Sequence, residues 1–300
     1  MTNPRTFPEL SPASAITASV LCINANDPSG AGGLACDSLV VSSMGGHCCP
    51  VATGTYVRDT LEMEDFYALS DEAVQQQARA VLQDIPVRAI KLGFLGSLAN
   101  IRACAELSND YPDLPVVAYM PSMSWWDPAL IDDYLDAYQE IVLPQATVLV
   151  GSYGLLWRWL LPDRDSAHPP TPRDIARAAA EKDVPFVLVT GIPSHPQHVE
   201  NALVSADTIY GNGEFELFET EFIGAGDTLS AALAALLASE TSLSDATAEA
   251  LAYLDKCLEG GIRPGMGKTI PDRLFWVQPD DDEEDDGAEA GEPTEGEPQR

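Results

Sequence analysis

Short apolar segments alternate with helix-forming segments along most of this 300-residue chain. Apolar runs without alternating polar side chains are typical of strands buried on both faces. The predicted strands are residues 18–23, 50–56, 89–92, 116–119, 147–150 and 185–190, and the predicted helices are residues 34–44, 71–83, 100–109, 128–142, 155–161 and one that starts at Thr171. This order predicts an α/β fold of three layers, in which helices cover both faces of a mainly parallel central sheet.

A different pattern follows the sixth predicted strand. Residues 203–209 and 215–220 have the composition of strands, and Tyr210-Gly211-Asn212-Gly213-Glu214 separates them. Glycine and asparagine favour tight turns, so we expect an antiparallel hairpin at the edge of the sheet. Two helices then close the domain, one from Asp227 and one over residues 244–258.

The two ends of the chain differ from its centre in composition. Residues 1–17 contain three prolines and no continuous apolar run, and are predicted to form a flexible leader that is not a secretory signal. Residues 279–300 contain eleven acids and one arginine, with almost nothing to bury, and are predicted to be a disordered acidic tail. Residues 18–278 between them are expected to fold as one domain.

Charge and cysteine usage exclude several classes of partner. The formal net charge is −31, and about −21 remains when the tail is left out, which argues against binding of nucleic acid. Six cysteines without a Cys-x-x-Cys pair are typical of reduced thiols. No apolar run approaches the roughly twenty residues that span a bilayer. These features predict a cytoplasmic protein without a membrane partner.

The segment Gly224-Ala225-Gly226-Asp227-Thr228 directly precedes a run of alanine and leucine. Glycines permit a turn with free amides, and the run that follows is strongly helix-forming, so Gly224, Ala225 and Gly226 are predicted to form an anion hole at a helix N-terminus. A carboxylate beside a bound phosphate can accept a proton, which makes Asp227 the candidate general base for phosphoryl transfer. The alternative is that Asp227 only caps the helix.

Three further segments match known motifs incompletely. Residues 26–33 form a glycine turn after a strand but lack the spacing of a dinucleotide fingerprint. Residues 265–269 are similar to the end of a P-loop, yet Ile262 stands where that motif needs glycine, so only a phosphate contact by Lys268 is retained. His195 and His198 lie in a proline-rich loop without a nearby cysteine, and no metal site is predicted there.

Three segments in register resemble one known family. Residues 26–32 with Asp37 downstream, residues 91–97 and residues 224–232 resemble the hydroxymethylpyrimidine/phosphomethylpyrimidine kinases of thiamine biosynthesis. These enzymes belong to the ribokinase-like superfamily, which also contains the pyridoxal kinases. The resemblance covers about residues 18–277. It implies a ribokinase-like fold, an ATP- and Mg²⁺-dependent kinase that phosphorylates a hydroxymethyl group on a heteroaromatic ring, and a homodimer.

The resemblance also implies roles for individual residues. Asp27 would meet the polar edge of the ring, Gly30 would contribute to the substrate site, and Phe94 would line the pocket. The implied nucleotide-binding residues are Thr190 and Gly191, to which the incomplete P-loop pattern adds Lys268. The implied anion hole and base are Gly224, Ala225, Gly226 and Asp227.

Five positions depart from the family pattern. Thr190 stands where the pyrimidine kinases have the lysine of a Lys-Gly-Gly motif, although threonine there has precedent among pyridoxal kinases. Asp227 stands where the pyrimidine kinases usually have cysteine, although aspartate is usual in pyridoxal kinases. Arg58 replaces a glutamine that grips the ring, which predicts a preference for anionic ligands. Met120 and Leu155 replace two acids linked to magnesium, so no metal ligand is assigned. A pyridoxal kinase-like vitamin B6 kinase, a sugar kinase and a non-catalytic ligand sensor therefore stay open as alternatives.

Overall fold

Residues 18–277, which a computed structural model of the chain describes, contain one nine-stranded sheet. Its strands are β1 (Ser19–Asn26), β2 (His47–Arg58), β3 (Met63–Ala68), β4 (Val87–Leu92), β5 (Val116–Tyr119), β6 (Val148–Ser152), β7 (Phe186–Pro193), β8 (His198–Val204) and β9 (Ile209–Glu216). Their order in space is β3-β2-β1-β4-β5-β6-β7-β8-β9. The six central strands run parallel, and β3, β8 and β9 pair antiparallel at the two edges. The mainly parallel sheet with an antiparallel edge is therefore confirmed.

Eight α-helices cover the two faces of the sheet within the described residues. They are α1 (Gly33–Ser43), α2 (Asp71–Asp84), α3 (Leu98–Asp110), α4 (Pro128–Ala137), α5 (Tyr153–Leu160), α6 (Pro172–Ala180), α7 (Ala225–Ala238) and α8 (Leu243–Glu259). A π-helical turn (Tyr138–Val142) extends α4, and short 3-10 turns lie at Leu143–Gln145 and Phe275–Val277. One apolar core joins α1, α7 and α8 to the sheet, and a second core lies on the opposite face with α2 to α6.

Local sequence explains where several helices begin. The Ser70 side chain accepts a hydrogen bond from the amide of Ala73 and caps α2. A capping box formed by Thr171 and Asp174 starts α6, with Pro172 at the first helical position. These side chains satisfy amides that have no partner inside the helix.

The two edges of the sheet differ from the sequence prediction. β3 was not predicted, because its charged residues Glu64 and Asp65 hide the strand pattern of an exposed edge. The hairpin at the other edge is real, but its turn lies at residues 205–208. There the amide of Ser205 donates to the carbonyl of Thr208 (2.8 Å), and the amide of Thr208 donates to Ser205 Oγ (3.1 Å). Residues 210–214, predicted as the turn, belong to β9 instead.

The predicted leader and acidic tail, residues 1–17 and 279–300, lie outside the described residues. Among the residues that are described, none of the helices has the length and apolar character required to cross a bilayer.

Candidate active site

The N-terminus of α7 lies where the parallel strands of the sheet end. It meets the carboxyl ends of β1, β4 and β5 there. Ligands of open α/β sheets bind at these strand ends, because loops and helix N-termini converge there. Asp227 lies in the first turn of α7 and reaches toward β1 and β4. The predicted base is therefore placed where the fold concentrates its ligand-binding groups.

Asp227 belongs to a buried network of four side chains. The Lys91 ammonium donates to Asp37 Oδ1 (2.8 Å) and to Asp227 Oδ1 (2.9 Å). Asn24 Nδ2 donates to Asp37 Oδ2 (3.0 Å) and to Asp227 Oδ1 (2.9 Å). Lys91 and Asp37 are fully buried, whereas the Asp227 side chain remains 16% exposed, so of the three charged groups Asp227 is the one that a ligand can reach.

Asn24 connects this network to the backbone and fixes its geometry. Its Oδ1 accepts the amides of Ala25 and Phe94 at 2.9 Å each, while its Nδ2 makes the two bonds to carboxylates. The side chain thus joins β1 to the loop after β4, to α1 and to α7. Such a fully satisfied buried polar network gives its members one defined arrangement.

The charges in the network set the protonation states. Burial acts to raise the pKa of Asp227, but the Lys91 charge and hydrogen bonds from Lys91, Asn24 and the Gly33 amide outweigh it and lower that pKa. Burial, offset in part by Lys91, raises the pKa of Asp37. Burial acts to lower the pKa of Lys91, yet Asp227 and Asp37 together raise it well above its usual value. Asp227 is therefore anionic and Lys91 cationic at neutral pH.

The second carboxylate oxygen of Asp227 faces the first glycine turn. A Cβ atom placed on Gly32 would lie 2.8 Å from Asp227 Oδ2, so a side chain there would crowd the base. Gly33, with φ of +59°, would meet the carbonyl of Ala25. The glycines at 32 and 33 allow residues 30–33 to pass directly over the carboxylate.

Gly224 and Gly226 shape the start of α7. Gly224 has φ of +83°, and a Cβ on it would overlap the carbonyl oxygen of Ala31. A Cβ on Gly226 would overlap the hydroxyl of Tyr119. Glycine at these two positions therefore lets the first turn of α7 pack directly against the Ala31 carbonyl and the Tyr119 hydroxyl. The anion hole of Gly224, Ala225 and Gly226 stays a prediction.

Arg273 ties the two glycine segments together and was not predicted from the sequence. Its guanidinium donates to the carbonyls of Gly30 (3.0 Å) and Ala31 and to Thr228 Oγ1 (3.1 Å). The residue is 4% exposed, so these bonds are shielded from water. Nothing in its local sequence indicates this role, because the partners lie about 240 and 45 positions away.

A cavity of about 290 Å³ adjoins the N-terminus of α7. Ala225 and Gly226 line it together with Thr190 and Gly191 of β7, and its far wall is apolar. The residues of that wall are Val199, Phe215, Leu229, Leu251, Leu254 and Leu258. Apolar walls beside backbone amides and a few polar groups suit a nucleotide base followed by phosphates.

Lys268 lies on a neighbouring surface. Its ammonium is 3.1 Å from Glu221 Oε2, and it lines a separate depression with Thr220 and Arg263. Its amide donates to the carbonyl of Thr60 at the tip of the β2–β3 hairpin (3.0 Å), and the amide of Gly267 donates to Thr60 Oγ1 (3.0 Å). Lys268 thus does not line the cavity of Thr190 and Gly191, but it lines a neighbouring depression that shares Thr220 with that cavity, next to the tip of the hairpin.

The predicted substrate residues Asp27, Gly30 and Arg58 come together beside the base. Asp27 is buried and accepts the amide and hydroxyl of Ser29 and the amide of Gly32. Arg58 Nη1 lies 3.6 Å from Asp27 Oδ2, with the Arg58 side chain 13% exposed. Gly30 has φ of +72° and an open space where a side chain would be. A cation is therefore held at the mouth of the site.

Phe94 belongs to a cluster of rings behind Arg58. It contacts Tyr56, Phe66, Trp125, Trp126 and Tyr134, with centroid distances of 5.0 to 5.7 Å. Phe94 is buried within this cluster, so its ring is packed among other rings and does not form an exposed wall. Trp125 and Trp126 stack on each other in the same cluster, with their ring centroids 5.8 Å apart.

Protein groups that could hold a magnesium ion are sparse. Met120 is buried in a core, and Leu155 packs against the same core, so neither position offers an oxygen ligand. Across residues 18–277 there is no group of three or more His, Cys, Asp or Glu side chains placed to hold a metal ion. The donor set does not fit a metal ion held by the protein alone.

No role at the site was predicted from the sequence for Lys91, Asp37 or Asn24. A lysine in the apolar run Ala89-Ile90-Lys91-Leu92 is a usable signal, because lysine is rarely fully buried without a partner. The aspartate and asparagine that pair with it are not identifiable without the fold.

Comparisons with known proteins agree with this geometry. A model of the family described as phosphomethylpyrimidine kinase matches residues 27–272. A hydroxymethylpyrimidine/phosphomethylpyrimidine kinase of Mycobacterium leprae is 28% identical, over 85% of this chain and 94% of the relative. The Salmonella typhimurium protein of the same name is 26% identical over 83% and 94% of the two chains.

Solved structures share the fold. Staphylococcus aureus pyridoxal kinase in complex with AMP-PCP has a TM-score of 0.78 at 19% identity, over 88% of this chain and 96% of that one. Clostridium difficile phosphomethylpyrimidine kinase has a TM-score of 0.65 at 20% identity, over 80% and 99% of the two chains. The family match spans most of the sequence and includes the glycine turn, the buried lysine and the start of α7. The chain therefore belongs to the phosphomethylpyrimidine kinase family, ATP-using phosphotransferases that act on an alcohol group.

Proposed function

We propose that this protein transfers the terminal phosphoryl group of ATP to the hydroxymethyl group of a pyrimidine, as the hydroxymethylpyrimidine/phosphomethylpyrimidine kinases of thiamine biosynthesis do. The observation that carries the proposal is the position of Asp227. It is an anionic carboxylate in the first turn of α7, held by Lys91 at 2.9 Å and still partly exposed. A ligand sensor would have no chemical need for a charge held there.

The chain's own residues would perform three tasks in this reaction. The substrate hydroxyl gives its proton to Asp227 while its oxygen bonds to the terminal phosphorus of ATP and the bond from that phosphorus to ADP breaks. The amides of Gly224, Ala225 and Gly226 would donate hydrogen bonds to the oxygens of the transferred group and so stabilise its negative charge. The ring cluster under Arg58 orients the pyrimidine. Positioning and charge stabilisation supply most of the rate in phosphoryl transfer.

The low pKa of Asp227 limits its strength as a base. In a loose phosphoryl-transfer transition state the proton leaves late, so a weak base held in place is adequate. Lys91 both holds Asp227 in place and keeps its carboxylate ionised, so that the carboxylate can accept the proton.

We further propose that the nucleotide enters as MgATP, with the triphosphate itself carrying the metal. The lack of a protein donor cluster in the described chain motivates this assignment. The cavity of about 290 Å³ beside Thr190 and Gly191 would take the base of the nucleotide. A homodimer and a cytoplasmic location stay predictions from the sequence.

The test is a turnover assay with matched variants. The purified protein is incubated with MgATP and either hydroxymethylpyrimidine, its monophosphate or pyridoxal. We expect a pyrimidine product, and a loss of about a hundredfold or more in kcat for Asp227→Asn, the usual contribution of a general base. Asp133→Asn, on the exposed face of α4, serves as the control and should behave as wild type.

Three outcomes separate the hypotheses. Product from pyridoxal alone would place the chain with the vitamin B6 kinases. Binding of MgATP in a thermal shift assay without turnover of any substrate would support a ligand sensor. Turnover that Asp227→Asn leaves unchanged would exclude Asp227 as the base.

A further inference from the structure

We propose that the hydroxyl of Tyr119 donates a hydrogen bond to the phosphoryl group at the N-terminus of α7, as a further catalytic residue of this site. The inference rests on the proposed function for the identity of the transferred group. The position of the hydroxyl is an independent observation.

The end of β5 points Tyr119 at the anion hole. Neighbouring side chains of a strand alternate between its faces. Met120 is buried in the core on the α2 to α6 side, and Tyr119 packs against the core on the α7 side. The hydroxyl of Tyr119 occupies the space where Gly226 would carry its Cβ, beside the amides of the first turn.

The hydroxyl of Tyr119 has a free hydrogen-bonding capacity. The hydroxyl oxygen of Tyr119 has no hydrogen-bond partner among residues 18–277. The fully buried unpaired side-chain atoms in that part of the chain do not include it, so the oxygen is not fully buried. The side chain is half-buried, and its hydroxyl lies against Gly226 in the first turn of α7. An unused donor beside a set of amides is suited to an anionic oxygen.

Lys91 couples the ring to the base. Its ammonium lies 5.5 Å from the Tyr119 ring centroid and also binds Asp227. Lys91 therefore contacts both the proposed donor, Tyr119, and the proposed base, Asp227. Burial, and then the charge of Asp227, raises the pKa of Tyr119. The hydroxyl therefore keeps its proton and acts as a donor, with no proton transfer of its own.

This role also accounts for a departure from the family pattern. The acid implied at Met120 is replaced by an apolar side chain, and the adjacent Tyr119 brings a donor to the transferred group from the same strand end. A neutral donor stabilises developing negative charge without a metal ligand from the protein.

The test uses Tyr119→Phe, which keeps the ring and removes only the hydroxyl, with Tyr210→Phe on the exposed edge strand β9 as the control. A hydrogen bond to a charged group predicts a fall in kcat of about tenfold or more for Tyr119→Phe, and none for the control. Calorimetry with the methylene-bridged analogue of ATP, and with adenosine as a probe that has no phosphate, gives a second readout. Thermal unfolding establishes that both variants are folded.

Weaker binding of the ATP analogue or a lower kcat in Tyr119→Phe, with adenosine binding unchanged, supports the proposal. Values of kcat and analogue affinity within twofold of wild type overturn it. If wild type phosphorylates none of the three substrates, the substrate assignment fails, and the analogue and adenosine arms still decide the role of Tyr119 by the same criterion.

Discussion

The ammonium of Lys91 lies 2.9 Å from Oδ1 of Asp227 and is the main group that keeps this buried carboxylate charged. The same nitrogen lies 2.8 Å from Asp37, so one buried cation serves two buried anions. Removing one partner of such a group is costly, because it leaves charge in a medium that solvates it poorly.

Lys91→Met should move the acid limb of the kcat/KM profile upward. In wild type the lowered pKa of Asp227 keeps the base ionised, so the acid limb lies below the ordinary aspartate value of about 3.9. Without Lys91, the largest contribution that opposes burial is lost and the pKa of Asp227 rises, so we expect the limb to shift up by one pH unit or more. The measurement is kcat/KM from pH 4 to 9, over which an acid limb should be seen in Lys91→Met and not in wild type or in the control Lys182→Met.

The stability of the same variant should follow the opposite pH trend. In wild type Asp227 contributes stability above its unfolded pKa, and this is lost as the pH falls through the folded value. In Lys91→Met the pKa is raised, so the ionised carboxylate destabilises the fold at neutral pH, by about 3–5 kcal/mol for the broken group. The double variant Lys91→Met with Asp37→Asn keeps the net charge and should recover part of the loss in urea unfolding. No recovery would argue against the charge imbalance as the cause.

Arg273→Met should lower both stability and activity. It leaves the carbonyls of Gly30 and Ala31 without their donor, at about 1–3 kcal/mol for each buried group. The released loop should raise the KM for substrate, because Asp27 lies in the same turn. Arg79→Met, which removes an exposed ion pair, is the control and should change stability by less than about 1 kcal/mol.

Gly224→Ala should be far more damaging than its backbone angle alone predicts. Gly45 has a similar φ of +79° and no atom within 4 Å of an added Cβ, so Gly45→Ala measures only the cost of the left-handed conformation, about 1–2 kcal/mol. Gly224→Ala adds an overlap with the Ala31 carbonyl. We expect a drop in melting temperature clearly beyond that of Gly45→Ala, together with loss of MgATP turnover. Equal effects would mean that the turn yields at no cost.

Arg58→Gln should change substrate preference more than rate. The Arg58 guanidinium is held near Asp27 at 3.6 Å, so one anion already neutralises part of its charge. We expect wild type to have a lower KM for the pyrimidine monophosphate than for the neutral alcohol, and Arg58→Gln to reduce that ratio about tenfold or more, since an ion-paired hydrogen bond is lost. The two KM values in each variant give the answer directly; a ratio that does not change would exclude Arg58 as a phosphate contact.

Much of the architecture was predictable because parallel strands and their helices have strong local signals. Apolar runs such as residues 185–190 and the capping sequence at Ser70 indicate their own conformation. β3 was not predictable, because an exposed edge strand needs no apolar face and obtains its order by pairing with β2. The hairpin turns at residues 205–208, and not at the glycines at 211 and 213, because pairing of β8 with β9 sets the register. Local composition does not record that pairing.

The candidate site was predictable in part. The glycines before the helix-forming run predicted a set of free amides with Asp227 beside them, because glycine permits such a turn at a helix N-terminus in any fold. The support behind it was not, because Asn24, Asp37 and Arg273 act through contacts between distant segments that no local pattern records.

The bond between Asn24 and Asp227 joins residues 203 positions apart. Asp227 belongs to the last quarter of the chain, and all its side-chain partners belong to the first third. During synthesis β1, α1 and β4 therefore leave the ribosome long before Asp227 does. Until then, Lys91 and Asp37 lack the second carboxylate of the network. Because such remote contacts form slowly, catalytic competence should be the last property this protein acquires as it folds.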